Sequence, residues 1–195
     1  MLYLTDIEFQ SVSYNNNDKT ILQDITVQIP CGDYISIAGP SGSGKSTLLK
    51  LCCHLISPTN GKILLNGADM MEQNPIELRE KIRYCFQTPT LFGDTVEENL
   101  NYPYAIHNQK MDMARVESLF SRFHMSDNYL KHEVKNLSGG EKQRIALMRT
   151  LLFKPEVLLL DEVTSALDTD NTEIVENAVQ ALNDEGITIL WVTHN

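Results

Sequence analysis

Tyr34-Ile35-Ser36-Ile37-Ala38 reads as a short, buried-looking strand that runs straight into Gly39-Pro40-Ser41-Gly42-Ser43-Gly44-Lys45-Ser46, and a helical pattern starts at Lys45. A strand delivered to a helix through a glycine loop is a building unit of the parallel α/β sheet, so this feature narrows the fold more than any other. The loop fits G-x-x-x-x-G-K-[ST]. Its glycines let backbone N–H groups converge on phosphate oxygens without interference from Cβ atoms, and the helix N-terminus adds a favourable dipole. Under this reading Lys45 bridges the β- and γ-phosphates of a nucleotide and the Ser46 hydroxyl ligates Mg²⁺. The plainer alternative is a glycine-rich turn with a solvated lysine, and the strand–loop–helix context weighs against it.

The rest of the chain repeats that alternation. Near the start, Ile25, Val27 and Ile29 lie on one side of a β pattern that Leu22 extends, and Asn15-Asn16-Asn17-Asp18 reads as a hairpin loop. The helical pattern from Lys45 carries Leu48, Leu49, Leu51 and Cys52 and is expected to run until Pro58. Lys62 to Leu65 predicts a strand closed by a tight turn at Asn66-Gly67. From about Asn74 to Lys135 the pattern is helical and polar, with a packing stripe of Met113, Val116, Leu119, Phe120 and Phe123. A helix from Gly139 to Phe153, stopped before Pro155, then precedes Val157-Leu158-Leu159-Leu160, a helix over about 172–183 and a strand from Thr188 to Thr193. Short, wholly apolar strands predict a mostly parallel sheet covered on both faces, with ligands beyond the carboxyl ends of its strands. The expected class is therefore α/β, with a mostly parallel sheet, an N-terminal antiparallel β portion and an inserted helical subdomain. We expect one domain over residues 1–195, its core at 1–73 and 136–195 and the helical subdomain at about 74–135.

Two further segments carry chemistry. The strand Val157 to Leu160 ends in Asp161-Glu162, and side chains alternate along a strand, so the two carboxylates share a side only if the strand has ended. Two jobs follow: Asp161 reaching Mg²⁺ through water, and Glu162 orienting or deprotonating an attacking water. Leu137-Ser138-Gly139-Gly140-Glu141 contains S-x-x-E, a capping box opening the next helix. Two glycines at a helix start also expose N–H groups to an anion. The chain has one phosphate loop, so a second phosphate site implies a nucleotide held by a partner.

Composition sets outer bounds. With 16 Lys plus Arg against 26 Asp plus Glu, the net charge is −10, which argues against nucleic acid as a partner. Cys31, Cys52, Cys53 and Cys85 form no C-x-x-C pair; Cys52 and Cys53 read as buried fillers. The scattered histidines, at 54, 107, 124, 132 and 194, give no zinc- or iron-type ligand set. No aliphatic run approaches membrane-spanning length, and Met1 to Val12 has Asp6 and Glu8 without a basic start, so a cytosolic chain without a signal peptide is expected.

The phosphate loop, Gln87 after the strand-like Arg83 to Phe86, Leu137 to Glu141, Asp161-Glu162, Ser165-Ala166-Leu167-Asp168 and His194 occur in the order found in ABC-transporter nucleotide-binding domains, which the chain resembles over essentially its whole length. The resemblance implies a P-loop NTPase core that binds and hydrolyses ATP with Mg²⁺. It implies that ATP is held by Tyr14, stacked on adenine 25 residues before Gly39, and by Gly39, Pro40, Ser41, Gly42, Ser43, Gly44, Lys45, Ser46 and Thr47. Mg²⁺ falls to Ser46, Gln87 and Asp161, and catalysis to Glu162, His194, Gln87 and Lys45. Gln87 would also sense the membrane subunit and His194 would be the γ-phosphate switch. Leu137, Ser138, Gly139, Gly140 and Glu141 resemble the signature that closes over the opposite subunit's γ-phosphate, with Asp168 at the dimer seam. The implied partners are a membrane permease subunit and a second copy in an ATP-dependent head-to-tail homodimer, which places the chain in the cytoplasm, peripheral on the inner face of the cell membrane. Gln87 to Val96 together with Leu190 to His194 is similar to the ATP-binding subunits of bacterial iron-exporter systems, the FetA type, which implies metal export. Relatives usually continue past His194 for another helix and strand, so a chain ending at Asn195 is expected to be a truncation.

The alternative is a soluble ABC-type ATPase acting on DNA or the ribosome. DNA-repair relatives need long coiled-coil insertions, whereas Gln87 to Leu137 spans 50 positions. The absence of C-x-x-C pairs, a single domain and the acidic charge also weigh against it.

Overall fold

A computed structural model describes residues 6–193. It opens on an antiparallel hairpin, β1 (Ile7–Asn16) and β2 (Lys19–Ile29), whose turn sits at Asn17 and Asp18, inside the expected Asn/Asp loop. The hairpin joins β4 (Asn60–Leu65) and β5 (Ala68–Asp69) in a four-stranded sheet ordered β2-β1-β4-β5. The β4–β5 turn is the expected Asn66-Gly67, with φ of 54° and 77°, the left-handed pair that a two-residue hairpin loop of matching twist requires. Ile25, Val27 and Ile29 do not share one buried face: Val27 is 40% exposed although it pairs with the fully buried Phe9. The reason is position, since β2 is the edge strand of its sheet.

The second sheet is ordered β3-β8-β7-β6, built from β3 (Tyr34–Ile37), β6 (Ile82–Cys85), β7 (Val157–Asp161) and β8 (Thr188–Val192). β3 and β7 both run parallel to β8, and every residue of β7 and β8 is buried. That burial explains why both strands read as continuous apolar runs rather than alternating ones. α1 (Lys45–Cys52) ends earlier than its apolar pattern predicts. His54 takes a left-handed φ of 52°, and the N–H groups of His54 and Leu55 donate back to the Leu51 and Lys50 carbonyls, a Schellman closure. Ile7, Phe9, Leu49, Leu51, Ile63, Leu159 and Val192 belong to one core between the sheets and α1, and Tyr14 packs against it half-buried.

The chain divides into two compact units. Among the described residues, the first takes in both sheets, α1 and α2 (Pro75–Lys81): the chain up to Tyr84, Pro155–Glu162 and the chain from Leu182. The second comprises Cys85–Lys154 and Val163–Ala181. It holds α3 (Val96–Ile106), α4 (Met113–Arg122), α5 (Gly139–Leu151) and most of α6 (Thr169–Asp184). α3 and α4 pack on α5, and Val116, Leu119, Phe120 and Phe123 are buried as their spacing predicts, while Met113 stays exposed.

Candidate nucleotide site

The parallel register aligns three strand ends: Ile37 of β3 lies beside Val192 of β8, and Val192 beside Asp161 of β7. The glycine loop therefore leaves the same end of the sheet as Asp161 and Glu162, with β8 between them. Within the loop, Gly44 is the N-cap of α1 with φ 94°. A Cβ there would lie 2.8 Å from Leu22 Cδ2 and 3.1 Å from the Ile21 carbonyl, so both the backbone conformation and the close approach of β2 demand glycine.

The alternation argument for the two carboxylates resolves in the backbone. β7 ends at Asp161, and Glu162 adopts a left-handed φ of 51° while its N–H donates to the Val192 carbonyl at 3.1 Å. That turn breaks the strand's alternation and brings both carboxylates to α1. The Ser46 hydroxyl donates to Asp161 Oδ1 at 2.8 Å, and Lys45 Nζ lies 3.9 Å from Glu162 Oε1. Neighbouring residues at the helix start thus meet neighbouring residues at the strand end.

Lys45 is only 8% exposed, and its ammonium donates to the Gly39 carbonyl at 2.8 Å and the Pro40 carbonyl at 3.1 Å. A nearly buried charge needs such partners. Asp161, 7% exposed, also accepts from the Tyr84 hydroxyl at Oδ2. Sequence reasoning missed Tyr84, because the pair is separated by 77 residues and only the sheet brings them together. Thr193 N–H donates to the Ile37 carbonyl at 3.2 Å; His194, next in the chain, lies outside the described residues.

The second unit holds the remaining sequence-identified residues. The capping box is formed in full: Glu141 N–H donates to Ser138 Oγ at 3.3 Å, and Ser138 N–H to Glu141 Oε2 at 2.7 Å. Tyr129 OH donates to Glu141 Oε1 at 2.5 Å. Burial pushes the Glu141 carboxyl up, but the Tyr129 and Ser138 hydrogen bonds outweigh it and hold the group below the ordinary carboxylate value. Leu137 is buried, and Gly139 has open space where a Cβ would stand. At Gly140 a Cβ would meet Asn171 Cγ at 2.7 Å, so glycine is required for Asn171 to lie against the start of α5. Asn171 is in turn the partner of Asp168, its N–H and side-chain amide both donating to the carboxylate at 2.8 Å. Those bonds hold Asp168 below its ordinary value. The signature segment and Asp168 are thereby joined through one asparagine. Gln87 Nε2 lies 3.4 Å from the Ser165 hydroxyl.

A polar knot around the buried Asn99 also escaped the sequence reading. Asn99, 0% exposed, accepts from Phe92 N–H at 3.0 Å and donates to the Phe92 and Thr95 carbonyls at 2.6 and 2.8 Å. Arg149 donates to Asn99 Oδ1 at 3.1 Å and to the Thr90 carbonyl at 2.8 Å, and its guanidinium stacks 4.5 Å from the Phe92 ring. Thr95 and Glu98 form a second capping box beneath this loop, a T-x-x-E signal legible in the sequence and not used.

The comparisons with known proteins bear on the family of the chain. A family model described as ABC transporter matches residues 22–165. The chain is 46% identical over 190 residues to the Escherichia coli (strain K12) protein named "Probable iron export ATP-binding protein FetA", covering 97% of this chain and 84% of that one. Among solved structures, a bacterial Atm1-family ABC exporter with ATP bound matches at TM-score 0.87 and 29% identity, over 100% of this chain and 35% of that one. A dimeric post-hydrolysis state of an ATP-binding cassette bound to ADP and Pi matches at TM-score 0.84 and 29% identity, over 97% of this chain and 88% of that one. The chain belongs to the ABC transporter family and is one of its ATP-binding, ATP-hydrolysing subunits.

Proposed function

We propose that residues 1–195 form one ATP-binding domain that powers a separate membrane permease in the export of iron or another metal. The observation that carries the ATPase part is the pairing of Lys45 with Glu162 and of Ser46 with Asp161. Support for the cargo comes from the Escherichia coli relative, whose name gives iron export and which matches over most of both chains. Among the described residues no helix is long and apolar enough to cross a membrane, and under this reading the permease supplies the spanning segments.

The residues fit Mg²⁺. Ser46 uses its hydroxyl proton on Asp161 and so keeps its oxygen lone pairs for a cation. Asp161 adds a hard carboxylate oxygen of the kind Mg²⁺ takes, reaching the ion through water, and the resemblance to ABC nucleotide-binding domains assigns Gln87 to the same ion. When bound, Mg²⁺ supplies charge neutralisation at the phosphates. Lys45 exchanges the Gly39 and Pro40 carbonyls for β- and γ-phosphate oxygens, in a cradle running from Gly39 to Thr47. Glu162 orients the attacking water and takes its proton, while Gln87 and His194 complete the γ-phosphate end. Tyr14 stacks on the adenine. Leu137 to Glu141 and Asp168 of a second copy close over the γ-phosphate, giving an ATP-dependent head-to-tail homodimer. It sits in the cytoplasm, on the inner face of the membrane through its permease.

The test is co-purification of tagged, full-length Glu162→Gln chain from detergent-solubilised cells in Mg-ATP, followed by metal-efflux measurement on cells lacking the recovered partner. Recovery of a polytopic membrane protein whose loss raises cellular iron is expected. Recovery of ribosomes or DNA-repair proteins without a membrane protein would overturn the transporter reading.

A further inference from the structure

We propose that Tyr84 is a positioning residue for the ATPase site, holding the Asp161 carboxylate in the orientation that serves the Ser46 side of the Mg²⁺ site. This inference rests on the reading of Asp161 as an Mg²⁺-site residue given above. The two oxygens of Asp161 have different tasks. Oδ1 accepts from the Ser46 hydroxyl at 2.8 Å, and Oδ2 accepts from the Tyr84 hydroxyl. With both oxygens engaged, the carboxylate plane is fixed about the last side-chain torsion, which is otherwise broad for aspartate. The orientation matters because the Ser46 proton must stay on Oδ1 for the Ser46 lone pairs to face a cation.

The placement of Tyr84 suits this task. It stands on β6, next to β7 in the sheet, and its ring packs half-buried against the core of the first unit. The hydroxyl is thereby delivered on a rigid platform rather than on a loop. A phenylalanine keeps the ring and removes the hydroxyl that donates to Asp161. Partners that orient a metal site from behind its ligands are typically worth 10- to 100-fold in metal affinity.

The test compares the full-length chain with Tyr84→Phe and Asp161→Asn, each loaded with the non-hydrolysable analogue AMP-PNP, by titrating Mn²⁺ and following free Mn²⁺ by electron paramagnetic resonance. AMP-PNP affinity in EDTA and the thermal midpoint of each apo chain are measured alongside. We expect Tyr84→Phe to weaken Mn²⁺ binding roughly tenfold, with metal-free nucleotide affinity and thermal midpoint unchanged, and Asp161→Asn to weaken it further. Unchanged Mn²⁺ affinity in Tyr84→Phe beside a weakened Asp161→Asn would overturn the role of Tyr84 and leave that of Asp161 standing. Unchanged affinity in both variants would overturn the Asp161 reading and this inference with it. A drop in Tyr84→Phe matched by an equal loss of metal-free nucleotide affinity or of thermal stability would reduce Tyr84 to a packing residue and also overturn it.

Discussion

Lys45 makes its closest contacts with two carbonyls of its own loop, at 2.8 and 3.1 Å, and a longer one of 3.9 Å with Glu162. All three are the sort of interaction an incoming phosphate can replace, because each offers oxygen to the same ammonium. The exchange trades neutral carbonyls for anionic phosphate oxygens, and hydrogen bonds to charged groups are worth about 1.5–3 kcal/mol. Lys45→Ala is therefore expected to weaken ATP binding by about 10- to 100-fold, measured by calorimetric titration with Mg-ATP. Equal affinity in the variant would contradict the cradle. Lys45 and Ser46 are readable from the sequence because the loop that positions them is contiguous. That Asp161 and Glu162 share a side depends on the left-handed φ of 51° at Glu162, which the sequence shows only as a constraint to be met. Tyr84 is invisible from the sequence alone because its role exists only once β6 lies beside β7.

Among the elements, α5 carries the most information, since its start is both a capping box and the segment that resembles the signature. Glu141 is held below the ordinary carboxylate value: burial opposes ionisation, and the Tyr129 and Ser138 hydrogen bonds overcome it. A group with a lowered folded value stabilises the fold fully above its unfolded value, and that contribution fades as pH falls through the folded value. The stability gap between the wild-type chain and Glu141→Gln should therefore be open at neutral pH and close on acidification below the ordinary carboxylate range, as read by urea midpoints across pH. A gap that widens on acidification would contradict this account. Ser138 and Glu141 were legible because a capping box is a local pattern, and the Asn66-Gly67 turn was legible for the same reason. β5, two residues long, lies below what any periodicity can reveal, and the early end of α1 depends on a left-handed histidine that no apolar pattern announces.

At the scale of the whole molecule, the chemistry-bearing residues fall into two groups, each inside one compact unit. Lys45, Ser46, Asp161, Glu162 and Tyr84 belong to the sheet unit, and Ser138, Gly140, Glu141, Asp168 and Asn171 to the helical one. The alternation of apolar strands with helices made the α/β class legible, since strands buried on both faces carry continuous apolar runs. The joining of β4 and β5 to the N-terminal hairpin was not legible, because antiparallel neighbours distant in sequence leave no local signal. The chain's acidity, −10 overall, leaves anionic ligands to local donor clusters such as the one around Lys45. Glu162 is proposed as the group that handles water when this cluster hydrolyses ATP. The most direct measurement is phosphate release from Mg-ATP by the wild-type chain and by Glu162→Gln, with ATP affinity determined on the same preparations. Unchanged binding and turnover lowered by roughly 10²- to 10⁴-fold are expected, the usual worth of a general base; near-wild-type turnover in Glu162→Gln would contradict that role.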